Sequence, residues 1–514
     1  MIKYTLSNKC SGDIYIYINS NKLKLDKLNN LIKPFKLTKK ELENNITNTL
    51  NNKSYILFTE PETEDKIDEL EDIRISISDA LYSINDIEDK KICIVLLNSN
   101  VYNGKSTGDM IESQIYTAMS SLYSFDKYKS EIPPYPDEII FYSDTITPTL
   151  KDLFNKCKIM GENLSLVRDL GNEPGNMLGP VKYANLIKNN ARNYSVKIMG
   201  ERQLKKLGLN NIVEMAKGSD LPARFVIINY NGLRSGRIKS RNKSRNKSRI
   251  KNRKTLKASR SRSNKHGSSI SSKHKPIVLV GKGVTFDAGG INIKFDPDMY
   301  QMKTDMLGSA VVYGIIDSLA RLKVKKHVIA LLPLVENMPG PQAVKPGDII
   351  TAYNGKTIEV MDTDAEGRLI MACTLAYSKN FNPSHVIDFA TLTGQAGAIT
   401  NDEASMVMSN DDNLVKKITD IGNKEYERVL RLPIYKEHRE QIKSSIADVK
   451  NVNNDINGSD SIIAGAFLEE FVPKNVKWLH IDLCKHYIKD EYKYYPVGCT
   501  GIGFRSGLKL IMSL

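Results

Sequence analysis

Three stretches, "KPIVLVG" (275–281), "KKHVIALLPLVEN" (325–337) and "HVIDFATLTG" (385–394), run apolar almost without interruption. A strand that is apolar on both sides has to be covered on both faces. Helical patterns lie between these stretches, across 298–322 and again in "LIMACTLAY" (369–377). Strands alternating with helices predict an α/β chain with a mixed sheet flanked by helices. In such sheets, chemistry collects in the loops that leave the strand ends.

The same alternation occupies the first 160 residues, with strands at "KICIVLLN" and "EIIFYSD" and a helix in "GDMIESQIYTAMSSLYSF". That portion carries no chemical motif. Two units are therefore expected, an N-terminal α/β domain over 1–160 and a larger α/β domain over 161–514 that carries the chemical motifs. No apolar run is long enough for a membrane span. The opening residues lack the apolar core of a secretory signal. The six cysteines form no CxxC pair, which favours reduced thiols. A cytoplasmic location is expected.

The formal charge of +15 has a local source. Residues 234–275 contain 17 lysines and arginines and no acid, and setting them aside leaves −2. This low-complexity stretch reads as a disordered, basic insertion without a core of its own. Nucleic acid is a possible partner through counterion release, but not as the main function.

The chemistry-bearing residues surround the apolar strands. "VGKGVTFDAGGINIKFD" (280–296) offers Lys282, Asp287 and Lys294, and "QMKTDMLGSA" adds Asp305. "VMDTDAEGRLIMA" (360–372) sets Asp362, Asp364, Glu366 and Arg368 two residues apart, a spacing that faces one side on extended backbone. Thr363 and Glu366 also fit a capping box. Just upstream, Asn354-Gly355 between β-rich arms signals a hairpin. Phe286 breaks a dinucleotide fingerprint and Ile350 breaks a phosphate-binding loop, while H-E-x-x-H and G-x-S-x-G are absent. Asp287, Asp305, Asp364 and Glu366 clustered alone would repel one another, and two divalent metals would relieve that repulsion.

The segments "VGKGVTFDAGGINIK", "PLVENMPGPQAVKPGDIITAYNGKTIEVMDTDAEGRL" and "ATLTG" resemble the leucyl aminopeptidase (M17) family, with weaker likeness across roughly 160–510. The resemblance implies a metal-dependent exopeptidase. It would act on peptides with a free N-terminus, with leucine-like preference, through a water activated by two metals (Mn²⁺ or Zn²⁺, or Mg²⁺). Lys282, Asp287, Asp305, Asp364 and Glu366 would be the metal ligands. Lys294 and Arg368 would be catalytic, Arg368 by holding bicarbonate as a proton shuttle. Met302, Thr391 and Gly394 would line the pocket for the N-terminal side chain. A homohexamer is also implied. The alternative reading is an aminopeptidase-fold protein that binds nucleic acid through its basic insertion. The chain departs from the family pattern at Asp362 (asparagine in the family), at Ala288 (serine), in "DMLGSA" and in the basic insertion.

Overall fold

The computed structural model describes residues 2–9, 13–19, 46–50, 53–59, 66–84, 88–97, 108–233, 275–453 and 460–514. The expected disorder and nucleic-acid role of the basic insertion therefore lie outside the described residues, apart from Lys275.

The main sheet has nine strands. Its path runs Val429–Arg431, Ser405–Ser409, Lys477–Asp482, His385–Ala390, Ile277–Gly281, His327–Asn337, Arg224–Asn231 and Ser195–Gly200, and Gly283–Asp287 pairs with the far end of His327–Asn337. The four central strands, from Lys477–Asp482 to His327–Asn337, are mutually parallel, whereas Arg224–Asn231 and Ser405–Ser409 join antiparallel. The sheet is thus mixed and helix-covered, as the unbroken apolar strands require. Alternate side chains feed two cores. Leu279, Ala330, Leu332 and Phe389 pack on one face with helix Leu307–Arg321. Val278, Val280, Leu331 and Val386 pack on the other with helix Glu366–Tyr377.

A second sheet orders Lys3–Ser7, Glu138–Tyr142, Lys91–Val95, Ile14–Asn19, Lys53–Thr59 and Ile46–Leu50, parallel except for its last pair. Helix Pro148–Asn172 links the two regions. It opens with Pro148 in its first turn and with the Thr147 hydroxyl accepting from the Leu150 N–H, two devices suited to a helix start. It passes through residue 160 and contributes Cys157, Leu164 and Val167 to the core shared with helix Leu307–Arg321.

Three local expectations change. The helical pattern across 298–322 is split into a 3-10 turn, Met299–Thr304, and the α-helix Leu307–Arg321, with Asp305 in the joint. Thr363 does not cap the following helix: the N-cap is Ala365, without a side-chain bond, because the Thr363 hydroxyl donates to the Gly289 carbonyl. Cys93 is disulfide-bonded, so the expectation of reduced thiols fails there, while Cys157, Cys373, Cys484 and Cys499 are free and buried. The expected hairpin forms, with Ile349–Thr351 paired to Thr357–Glu359 around Gly355 at φ 91°. Among the described residues no helix is long and apolar enough to cross a membrane.

Candidate metal centre

The carboxyl ends of the parallel strands deliver the site, where strand-end loops were expected to carry it. Lys282 directly follows strand Ile277–Gly281, Thr391 follows strand His385–Ala390, and Asp287 is the last residue of strand Gly283–Asp287. Asp305 enters from the joint between the 3-10 turn and its helix. Asp364 and Glu366 come from a turn and the first residue of helix Glu366–Tyr377, so they converge through that turn and not through extended alternation.

Oxygens of Asp287, Asp364 and Glu366 all lie within 4.8 Å of one another. Lys282 Nζ sits 2.8 Å from Asp305 Oδ1 and 2.9 Å from Glu366 Oε1, and donates to the Thr391 carbonyl at 2.7 Å. Lys294 Nζ lies 2.9 Å from Asp287 Oδ2 and also pairs with Asp364. The Thr391 hydroxyl donates to Asp305 Oδ1 at 2.8 Å, whereas the buried Asp305 Oδ2 has no hydrogen-bond partner among the described residues. A buried carboxylate oxygen left open in this way suits a cation.

Surrounding groups hold the acids in place. Asn337 donates to Asp287 Oδ1 at 2.8 Å and to the Thr363 carbonyl at 3.1 Å, tying the two acid-bearing loops together. The Gly289 N–H donates to the same Asp287 oxygen. Gly289 has φ +92°, and a Cβ there would lie 2.3 Å from the Asn292 carbonyl oxygen, so glycine is required. Asp362 accepts the Asp364 N–H at 2.8 Å, the Asx-type contact its sequence position allows.

The electrostatics follow from burial among like charges. Burial, then neighbouring acids, raises Asp305 and Glu366, and Asp364 is pushed up to about 7 by burial and Asp287. Burial by itself would lower Lys282 and Lys294. The acids outweigh it, and both lysines are raised. Four buried or half-buried acids thus share two lysine charges, a deficit of positive charge that bound dications would relieve.

Lys282, Asp287, Lys294, Asp305, Asp364 and Arg368 line one cavity of about 540 Å³. Met302, Thr391 and Gly394 line it too, while Glu366 is buried behind it. All ten residues singled out in the sequence are therefore gathered at one place. Two others were not legible there. Asn451 is fully buried, and its side chain bonds the backbone of Met361 and Asp362 while its carbonyl accepts from Arg368 Nη1 at 2.8 Å. Asp460 places both carboxylate oxygens, at 2.8 and 2.7 Å, on Arg368 Nη2. An acid opening an apolar helix is the only signal Asp460 gives, and the helix dipole alone would explain it.

Comparison with known proteins identifies the family of this chain. The profile of the cytosol aminopeptidase family, catalytic domain, matches residues 165–241 and 263–507, breaking inside the basic stretch. The probable cytosol aminopeptidase of Aromatoleum aromaticum is 32% identical over 397 residues, covering 76% of this chain and 71% of that protein. Its counterpart in Azotobacter vinelandii is 34% identical over 373 residues, covering 71% and 67%. Among solved structures, the bottromycin maturation enzyme BotP in complex with Mn superposes with a TM-score of 0.79 at 23% identity, over 98% of this chain and 99% of that one. That likeness supports the same fold throughout. With the family profile covering most of the chain and the acid cluster in place, the chain belongs to the cytosol aminopeptidase family, M17, as a metal-dependent hydrolase of the leucyl aminopeptidase type.

Proposed function

We propose that the chain removes leucine-like N-terminal residues from peptides with a free N-terminus, using two divalent cations in the acid cluster. The convergence of Asp287, Asp364 and Glu366 oxygens within 4.8 Å carries this reading. The residues fit such cations: Lys282, Asp287, Asp305, Asp364 and Glu366 would hold them. When bound, the pair would acidify a water and polarise the scissile carbonyl. Ligation by Lys282 needs its neutral amine. Cations among the acids would cancel the charges that keep this lysine protonated, leaving burial to lower its pKa.

Lys294 reaches the cavity between Asp287 and Asp364 and would stabilise the tetrahedral oxyanion. Arg368 is the second catalytic residue by resemblance. Bicarbonate at Arg368 would have to share the guanidinium with the Asn451 carbonyl on Nη1 and with Asp460 on Nη2. Met302 and Leu392 give the cavity apolar wall for a branched side chain, beside Thr391 and Gly394. Manganese is the first cation to try, because the structurally similar BotP was captured with it; zinc and magnesium follow. A cytoplasmic homohexamer divided at about residue 160 completes the proposal.

The test is hydrolysis of aminoacyl amides by metal-stripped protein resupplied with each cation. Equal rates with and without cations would overturn the metal-dependent reading, and faster cleavage of charged than of leucyl substrates would overturn the preference.

A further inference from the structure

We infer that Asp460 is the proton carrier of this enzyme, a carboxylate built into the chain at the place where the resemblance puts bicarbonate. The inference rests on the aminopeptidase reading.

Peptide hydrolysis needs a group that takes a proton from the attacking water and returns it to the leaving nitrogen. The acids of the cluster are committed as ligands. The other titratable groups along the cavity are engaged elsewhere. Asp362 accepts the Asp364 N–H, and Asp296 accepts the Asp298 N–H. His486 is half-buried, and burial lowers it to about 4. Asp460 differs. It lines the same cavity as Lys294 and Asp364, its side chain is 35% exposed, and it rests on the guanidinium of the almost fully buried Arg368.

Its placement is well determined. The Asp460 N–H donates to Gln395 Oε1 at 2.7 Å, and the next residue, Ser461, bonds the Thr393 hydroxyl at 2.6 Å. Among the described residues both Asp460 oxygens contact Nη2 only, which leaves each a lone pair for a proton. A guanidinium can orient and stabilise a carboxylate but cannot replace it as a proton carrier.

The cycle balances without any external acid or base. A water O–H bond breaks, its oxygen bonds the scissile carbonyl carbon, and its proton passes to the Asp460 carboxylate. The C–N bond then breaks with its electron pair going to nitrogen. Asp460 protonates that nitrogen and is regenerated as the carboxylate.

The experiment uses the full-length protein and its Asp460→Ala and Asp460→Asn variants in carbon-dioxide-free buffer, with and without added bicarbonate. Binding of ¹³C-labelled bicarbonate is followed in parallel by NMR, a readout that requires no turnover. Wild type should be indifferent to bicarbonate and should not bind it. Asp460→Ala should lose about 100-fold in kcat, recover much of it with bicarbonate, and bind the label. Asp460→Asn keeps an acceptor on Arg368 but cannot carry the proton, so it should be slow and not rescued. It also serves if the alanine variant fails to fold. Bicarbonate-dependent wild-type turnover, label bound by wild type, or full activity of either variant would overturn the inference. A wild type without any peptidase activity would instead overturn the aminopeptidase reading, and the binding comparison would still report on Asp460.

Discussion

Lys282 passes so close to Gly367 that a Cβ on the glycine would lie 2.5 Å from Lys282 Cε and 2.6 Å from Nζ. The helix bearing Glu366 can therefore approach the lysine only because the next residue has no side chain. Gly367→Ala should push the flexible end of Lys282 out of its acid pair. Alanine gains roughly 0.5–1 kcal/mol over glycine within a helix, which offsets the crowding. The expected outcome is a thermal midpoint near that of wild type, with cation retention and kcat/KM both strongly reduced. Equilibrium dialysis and kinetics would check it.

Lys294→Met removes the charge between Asp287 and Asp364 without removing a proposed ligand. If Lys294 acts on the oxyanion, kcat should fall about 100- to 1,000-fold with KM changed little. A variant whose KM rises while kcat holds would assign Lys294 to substrate binding instead.

Asp362→Asn preserves an acceptor for the Asp364 N–H and removes one negative charge beside the acid cluster. Cation retention should weaken by on the order of 1 kcal/mol at a partly exposed site. The acidic limb of the kcat/KM profile should move to lower pH. Chelator titration and a pH series on both proteins would measure the two effects.

Glu425 ties the C-terminal helix to the N-terminal region. Burial would raise its pKa, but Arg505, Lys509 and Arg74 outweigh burial and hold it at about 2, below its ordinary 4.5. Because the folded value is depressed, the stability it contributes is complete above pH 4.5 and is lost as pH falls through 2. The shift corresponds to about 3 kcal/mol. Glu425→Gln should lower the thermal midpoint clearly at pH 7. The gap from wild type should narrow between pH 4.5 and 2, as followed by circular dichroism.

Deleting 234–275 and joining Leu233 to Pro276 should preserve peptidase activity. Strands Arg224–Asn231 and Ile277–Gly281 flank strand His327–Asn337 on opposite sides, with Asn231 opposite His327 and Ile277 opposite Val328. The ends to be joined thus meet at one edge of the sheet. They lie two strand spacings apart, about 10 Å, within reach of four or five glycine and serine residues. Loss of activity together with unfolding would show that the stretch is structural.

The sequence by itself determined the covered sheet, because strands apolar on both sides have no other stable place. It also pointed to Lys282 and Asp287, since their glycine-rich loop directly follows one of those strands. Tertiary structure decided what periodicity cannot encode. Thr363 satisfies the local rule for a helix cap, yet its hydroxyl bonds the Gly289 carbonyl, a partner 74 residues away that becomes available only when two loops meet. Asp305 belongs to a helical pattern that breaks beneath it, where its carboxylate meets Lys282 and Thr391. Asp460 reads as an ordinary acid at a helix start until folding sets it on Arg368, 92 residues earlier. Local propensity acts over a few residues, whereas buried charges must find partners wherever the fold supplies them.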